Sequence, residues 1–363
     1  MRGLLFLLIG LLALRSIEPL FTWAQSPPQV WVRVLLEEAK EAAVRTPIGK
    51  VLLRWSSKGV VADGGSREAI LDRMVLEGPF WLKGRGYRGQ LLVLPSSSGL
   101  LLINVLPLEE YLLGVLPMEM PRGFPKEALM AQAVLARTYA VSRLSPKAPY
   151  DLCATELCQV YGGMGVETPV HQEAVEATWG QVVSLPEGGA SRPISPLYHS
   201  DSGGMTAASE EVYGRFVPYL RPRPDPYSPK KAWEVLIPWP RLLNLAPWGK
   251  LPGALLAQGA RPEEGLALLK RSESGRAYRI RVLGKELEGP EATRFLRALG
   301  LPSTLIEEVR TLPEGILVRG RGIGHGLGLS QWGAKGMAEA GYGYREILGY
   351  YFPGTFLSEI IPN

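Results

Sequence analysis

Glu119 stands between Met118 and Met120, with Pro117 and Pro121 outside them. A carboxyl group among apolar neighbours, just past the end of a helix, loses hydration. Desolvation raises its pKa toward the range useful for a general acid. The same glutamate in an open loop is a solvated surface charge. Both readings stand on the sequence alone.

A second candidate is HSDSGG, residues 199–204, which has the Asp-Ser-Gly-Gly order of chymotrypsin-like serine proteases. A nucleophilic Ser202 would need a histidine base and an orienting carboxylate. The only histidine upstream of the motif's own is His171, in a plain helical pattern. A tight glycine turn is therefore the preferred reading of this stretch. The third candidate is GRGIGHGLGLSQWGAKG, residues 320–336, where Gly320, Gly322, Gly324, Gly326 and Gly328 fall on every second position. Read as a strand, one face carries Arg321, Ile323, His325, Leu327 and Leu329 and the other is bare. A bare face lets a ligand or a packed helix come close to backbone. The spacing is neither a dinucleotide fingerprint nor a phosphate loop.

Cys153 and Cys158 are the only cysteines. The first residues, with Arg2, an apolar run from Leu4 to Leu14 and Thr22-Trp23-Ala24 as a cleavage site, read as a secretory signal peptide over 1–24. An uncleaved N-terminal anchor is the alternative, and no later stretch approaches membrane-spanning length. In an exported chain two cysteines five apart read first as a disulfide. Zinc at Cys153 and Cys158 is the minority reading, because two thiolates need further ligands and His171, His199 and His325 all lie outside the loop. No other metal site and no cofactor is expected. The charge balance, 40 basic against 35 acidic side chains, is mildly basic. Neither its pattern nor a motif points to nucleic acid, and an anionic polymer fits equally well.

The elements that would carry these residues make an α+β chain. Short strands punctuated by Gly, Pro and Ser over 25–100 form a β-rich N-terminal module, and a mixed α/β domain follows over 101–363. A helix from Leu108 is expected to end at Pro117. Pro125 opens a second helix, whose stripe Leu129, Ala133, Ala136, Ala140 and Leu144 faces a core, with Gln132 and Tyr139 on a neighbouring face. A further helix, VHQEAVEATWG, leads into the strand QVVSL. Tyr344, Ile347, Leu348 and Tyr351 line one face of a last helix, stopped at Pro353-Gly354. Residues 236–312 carry no readable motif and form a divergent insert.

LPLEEYLLGVLPMEMPRGFPKEALMAQAVLARTYAVSR closely resembles the sporulation stage II protein D / LytB family. So do DLCATELCQVYGG, ETPVHQEAVEATWGQVV, YHSDSGGMTAASEEVYG and the glycine-rich stretch through GYGYREILGYYFPGT. Five motifs in one order cover about 105–235 and 315–357. The resemblance implies an exported protein, in the periplasm or at the cell wall, acting on peptidoglycan. Some members are lytic transglycosylases that cut between N-acetylmuramic acid and N-acetylglucosamine in strands stripped of stem peptides and leave 1,6-anhydro ends. The family's catalytic acid is the glutamate of its Pro-x-Glu-Met element, here Glu119.

A transglycosylase uses the sugar's own 6-hydroxyl as nucleophile, so one carboxyl can act as acid and then as base. The polar groups of the matching motifs, Gln132, Arg137, Tyr139, His199, Ser200, Ser202, His325, Ser330 and Gln331, are expected to bind the sugars. Gly324 and Gly326 would let a flat ring lie against backbone, and His325 is expected to face Glu119. Some members bind zinc through a histidine just before the second cysteine. Here that position is Leu157, which favours the disulfide. Other members are described as enhancers of a cell-wall amidase, and a non-catalytic glycan-binding module with an amidase partner is the alternative function.

Overall fold

The computed structural model describes residues 29–63, 68–187, 190–245 and 265–360. The expected leader over 1–24 lies outside them. Helices and strands in several sheets make an α+β fold. Among the described residues no helix is long and apolar enough to cross a membrane.

The N-terminal strands fall into two antiparallel sheets. One runs in the order Glu68–Leu71, Gly59–Asp63, Gly49–Ser56, Glu41–Thr46, Phe80–Leu82, Arg85–Tyr87. The other centres on Trp31–Ala39 paired with Leu100–Pro107. The short strand Leu152–Cys153 joins its edge in parallel with Trp31–Ala39. Leu100–Pro107 thus crosses the boundary expected near residue 100. Val32, Val34, Leu91 and Leu102 are buried in the same apolar core as the helices that follow.

Helix α1 spans Leu108–Glu119 and α2 spans Lys126–Arg143. The expected stop at Pro117 is corrected, since Pro117 lies inside α1. The proline removes one backbone donor. The last turn persists because Leu112, Val115 and Leu116 are buried and because the Met120 N–H bonds the Leu116 carbonyl. Glu119 is therefore the final helical residue, and Met120 is extended. In α2 the stripe Leu129, Ala133, Ala136 and Ala140 is fully buried, while Leu144 is the partly exposed C-cap.

Helix α3, Pro169–Ala177, packs on α1 and α2. The two-residue strands Tyr198–His199 and Leu329–Ser330 pair in parallel, Tyr198 opposite Leu329 and His199 opposite Ser330. Ser330 then caps the helix Gln331–Glu339, its hydroxyl accepting from the Gly333 N–H at 3.2 Å. The later segment has its own apolar core, in which Ile280, Leu287 and Leu296 meet Ile316 and Val318 of the strand Gly315–Arg321.

Candidate active site

The Glu119 carboxyl is partly buried, and its pKa is raised from the ordinary carboxylate value by loss of hydration. Hydrogen bonds from the Tyr198 phenol, the Val160 backbone N–H and the Gln331 amide act in the opposite direction, because each favours the ionised form. Burial wins. Gln331 also donates to the Glu119 backbone carbonyl at 3.1 Å, tying the start of the C-terminal helix to the end of α1.

Tyr198 is held in turn. The Gln159 amide donates to its hydroxyl oxygen at 3.1 Å, and the Gln159 carbonyl accepts from Tyr111 at 3.3 Å. The Tyr198 oxygen thus receives one hydrogen bond, and its single proton is left for Glu119. Gln159 and Val160 follow Cys158 directly. Cys153 and Cys158 form a disulfide, with Cα atoms 5.5 Å apart. With both sulfurs paired, neither is a thiolate available to a metal. This short closed loop anchors the segment that touches both Glu119 and Tyr198.

His171 fixes the other side. Its Nε2 lies 2.9 Å from the Met120 carbonyl, and its Nδ1 lies 2.7 Å from the Thr168 hydroxyl. Tyr198, Gln159, Val160 and His171 were not picked out as site residues by sequence reasoning. Tyr198 stood within a quoted motif, and Gln159 stood next to Cys158. His171 stood in a plain helical pattern, set aside both as a protease base and as a zinc ligand.

The structure does not bring all the expected sugar contacts to this carboxyl. Arg137 is wholly buried and bonds Glu109 through two nitrogens, at 2.7 and 2.6 Å. Its remaining donors reach the Val175 and Gln181 carbonyls and Thr178, so it braces α2 against α1 and α3. Tyr139 lies in the main core, with Arg143 stacked on its ring. Ser202 is buried and donates to Asp225 at 2.7 Å, while Ser330 accepts from the Ser202 N–H at 3.2 Å. The half-buried Ser200 accepts the Trp332 N–H at its carbonyl. Gln132 is fully buried in α2, and neither end of its amide meets a partner among the described residues.

His199 and His325 face each other, with ring centroids 5.6 Å apart. His199 Nδ1 lies 3.1 Å from the Leu327 carbonyl, and His325 Nδ1 accepts from the Leu327 N–H at 3.0 Å. Burial lowers both pKa values, His325 to about 4, helped by the positive charges of Arg297 and Arg276. Successive strand residues point to opposite sides, so His199 points away from the side on which Tyr198 meets Glu119. His325 is itself hydrogen-bonded to the backbone of Tyr198, the residue whose phenol meets Glu119. Its neighbours are thus His199, Leu327, the Tyr198 backbone and the two arginines.

The glycine run is corrected. The strand ends at Arg321, and Gly322, Gly324, Gly326 and Gly328 all have positive φ. A side chain at Gly324 would meet the His199 Cβ at 2.8 Å, and one at Gly326 would meet the Arg276 guanidinium at 2.3 Å. The bare face is thus covered by the protein's own groups. Arg276, fully buried, reaches across to the Ser202 and Met205 carbonyls and locks this loop to the HSDSGG turn.

The family described as Stage II sporulation protein matches residues 96–185. The chain is 31% identical over 277 residues to Stage II sporulation protein D of Bacillus subtilis, covering 71% of this chain and 76% of the relative. It is 32% identical over 281 residues to an uncharacterized protein of Brachyspira hyodysenteriae, covering 76% and 73%. It is 30% identical over 290 residues to the amidase enhancer of Bacillus subtilis, covering 68% of this chain but 40% of that protein. These likenesses put the chain in the stage II sporulation protein class. The chain is a member of the stage II sporulation protein D family.

Proposed function

We propose that this chain is an exported, cell-wall-directed lytic transglycosylase. It cleaves the bond from N-acetylmuramic acid to N-acetylglucosamine in peptidoglycan strands and leaves 1,6-anhydro ends. The observation that carries the reading is a partly buried Glu119 whose pKa is raised by desolvation while Tyr198, Val160 and Gln331 hold its carboxyl in place. A raised pKa shifts the carboxyl toward its protonated form, the form a general acid requires. Glu119 gives that proton to the glycosidic oxygen as the C1–O bond breaks. The resulting carboxylate then takes the proton of the 6-hydroxyl as O6 closes on C1. Tyr198 stabilises the carboxylate between the two steps. Acid and base are one residue, so the paired carboxylates of hydrolytic glycosidases are not required.

The test is incubation with purified peptide-free glycan strands, with anhydro-muramic ends read by mass spectrometry. Products from the wild type and none from Glu119→Gln support the reading. Products from both variants at equal rate sink it.

The likeness to an amidase enhancer favours a second reading, a glycan-binding module that assists a cell-wall amidase. Binding without any anhydro product, together with stimulation of an added amidase, would select it.

A further inference from the structure

Trp332 is the second residue of the helix Gln331–Glu339 and is half-buried. Its neighbour Gln331 bonds Glu119. Phe124, from the loop that follows Glu119, meets the Trp332 ring edge-on with centroids 5.1 Å apart. Over the same indole lies the Lys231 ammonium, 3.7 Å from the ring centroid. The Lys231 backbone is pinned at both ends, its N–H donating to Asp201 at 2.8 Å and its carbonyl accepting from Gly322 at 2.8 Å. Lys335 also approaches Trp332, but it is paired with Glu339. Lys231 has no carboxylate within ion-pair distance among the described residues.

We infer that Lys231 and Trp332 form a subsite, beside Glu119, for a sugar that carries a carboxylate. An ammonium over an indole is held in place by the ring's negative face, yet its outward donors remain unpaired. A half-buried indole offers apolar surface for the C–H face of a sugar, and the ammonium fixes an anionic substituent on that sugar. This inference rests on the glycan reading above and deepens it. In such a strand the anionic sugar is N-acetylmuramic acid, whose lactyl carboxyl is ionised when free and neutral when an amide bond caps it. Lys231 would thus make the site sensitive to whether that carboxyl is free.

The experiment uses the full chain with Glu119→Gln, so that binding is read without turnover. Two probes are titrated, peptide-free glycan strands and the same strands with their lactyl carboxyls converted to methylamides. The free-carboxylate strands are expected to bind about 3–10-fold more tightly at low salt, as for a partly exposed charge pair. The preference should shrink as salt is raised. It should vanish when Lys231→Met is added and persist when Lys231→Arg is added. Equal binding of both strands to the Glu119→Gln protein overturns the inference and leaves the glycan reading intact. A preference that survives Lys231→Met also overturns it. Binding of neither strand overturns both. The comparison of the two strands needs no change at Lys231, so it decides the matter even if Lys231→Met does not fold.

Discussion

His171 Nε2 sits 2.9 Å from the carbonyl oxygen of Met120, the residue directly after Glu119. A carbonyl only accepts, so Nε2 carries the proton, and Nδ1 accepts from Thr168. The ring is a neutral spacer between the start of α3 and the end of α1. His171→Ala removes the donor and leaves a cavity beside the Glu119 end of α1. A loss of about 1–3 kcal/mol in a denaturant melt is expected from the orphaned carbonyl. Turnover should fall with little change in strand affinity, because the residue touches the Met120 backbone, directly after Glu119. Unchanged stability and turnover would show the contact to be incidental.

The Cys153–Cys158 loop positions Gln159 and Val160 against Tyr198 and Glu119. Thiol titration of the denatured, unreduced protein should find no free thiol. Reduction should lower stability by about 2 kcal/mol, the loop-closure entropy expected for so short a ring, and should lower turnover as Gln159 loosens. Two free thiols with stoichiometric zinc would overturn the disulfide assignment.

Arg137 and Glu109 form a buried pair with no route to the solvent for the guanidinium. Arg137→Met leaves Glu109 without its partner, and breaking such pairs costs about 3–5 kcal/mol. Loss of stability with unchanged glycan affinity in the fraction still folded is the expected outcome. Weaker binding without destabilisation would restore Arg137 as a sugar contact.

What the sequence made legible follows the range of its signals. The α2 stripe, the helix face of Ile347 and Leu348 and the strand Gln181–Glu187 are local patterns of period 3.6 or 2, and they appear as expected. Glu119 was visible because its neighbours are apolar. Tyr198 and His171 were not, since their roles come from contacts with residues 79 and 51 positions away in the chain. Arg137 looked like a ligand group because charge is visible in sequence and burial is not. The glycine run misled for a similar reason, as alternate glycines read as a strand face until their positive φ is known.

Acid stability should follow the histidines. The His325 pKa falls from an ordinary 6.5 to about 4 in the fold. Below 6.5 the unfolded chain therefore binds the proton that the folded chain refuses, and stability drops as pH falls from about 6.5 to about 4. His199 and His171 are shifted the same way by burial. Glu119 and Asp225, raised by burial, act with the opposite sign. Comparing wild type with His325→Gln isolates the one term, and the slope in that window should flatten. Parallel curves would remove His325 from the account.

Tyr198 sets how tightly Glu119 holds its proton. The phenol donates to the carboxylate, favours the ionised form and so holds the Glu119 pKa below what burial alone would give. Tyr198→Phe removes that donor and keeps the ring. The Glu119 pKa must then rise further. In the proposed reaction the protonated carboxyl is needed first, so the alkaline limb of the kcat/KM profile reports its loss. That limb should move to higher pH in Tyr198→Phe. At alkaline pH the variant then retains a larger share of its own maximum rate than the wild type does. The maximum itself should fall, because the carboxylate formed after the first step has lost a hydrogen bond. A lower maximum with an unshifted alkaline limb would mean that Tyr198 only positions the strand, and that some other group sets the protonation of Glu119.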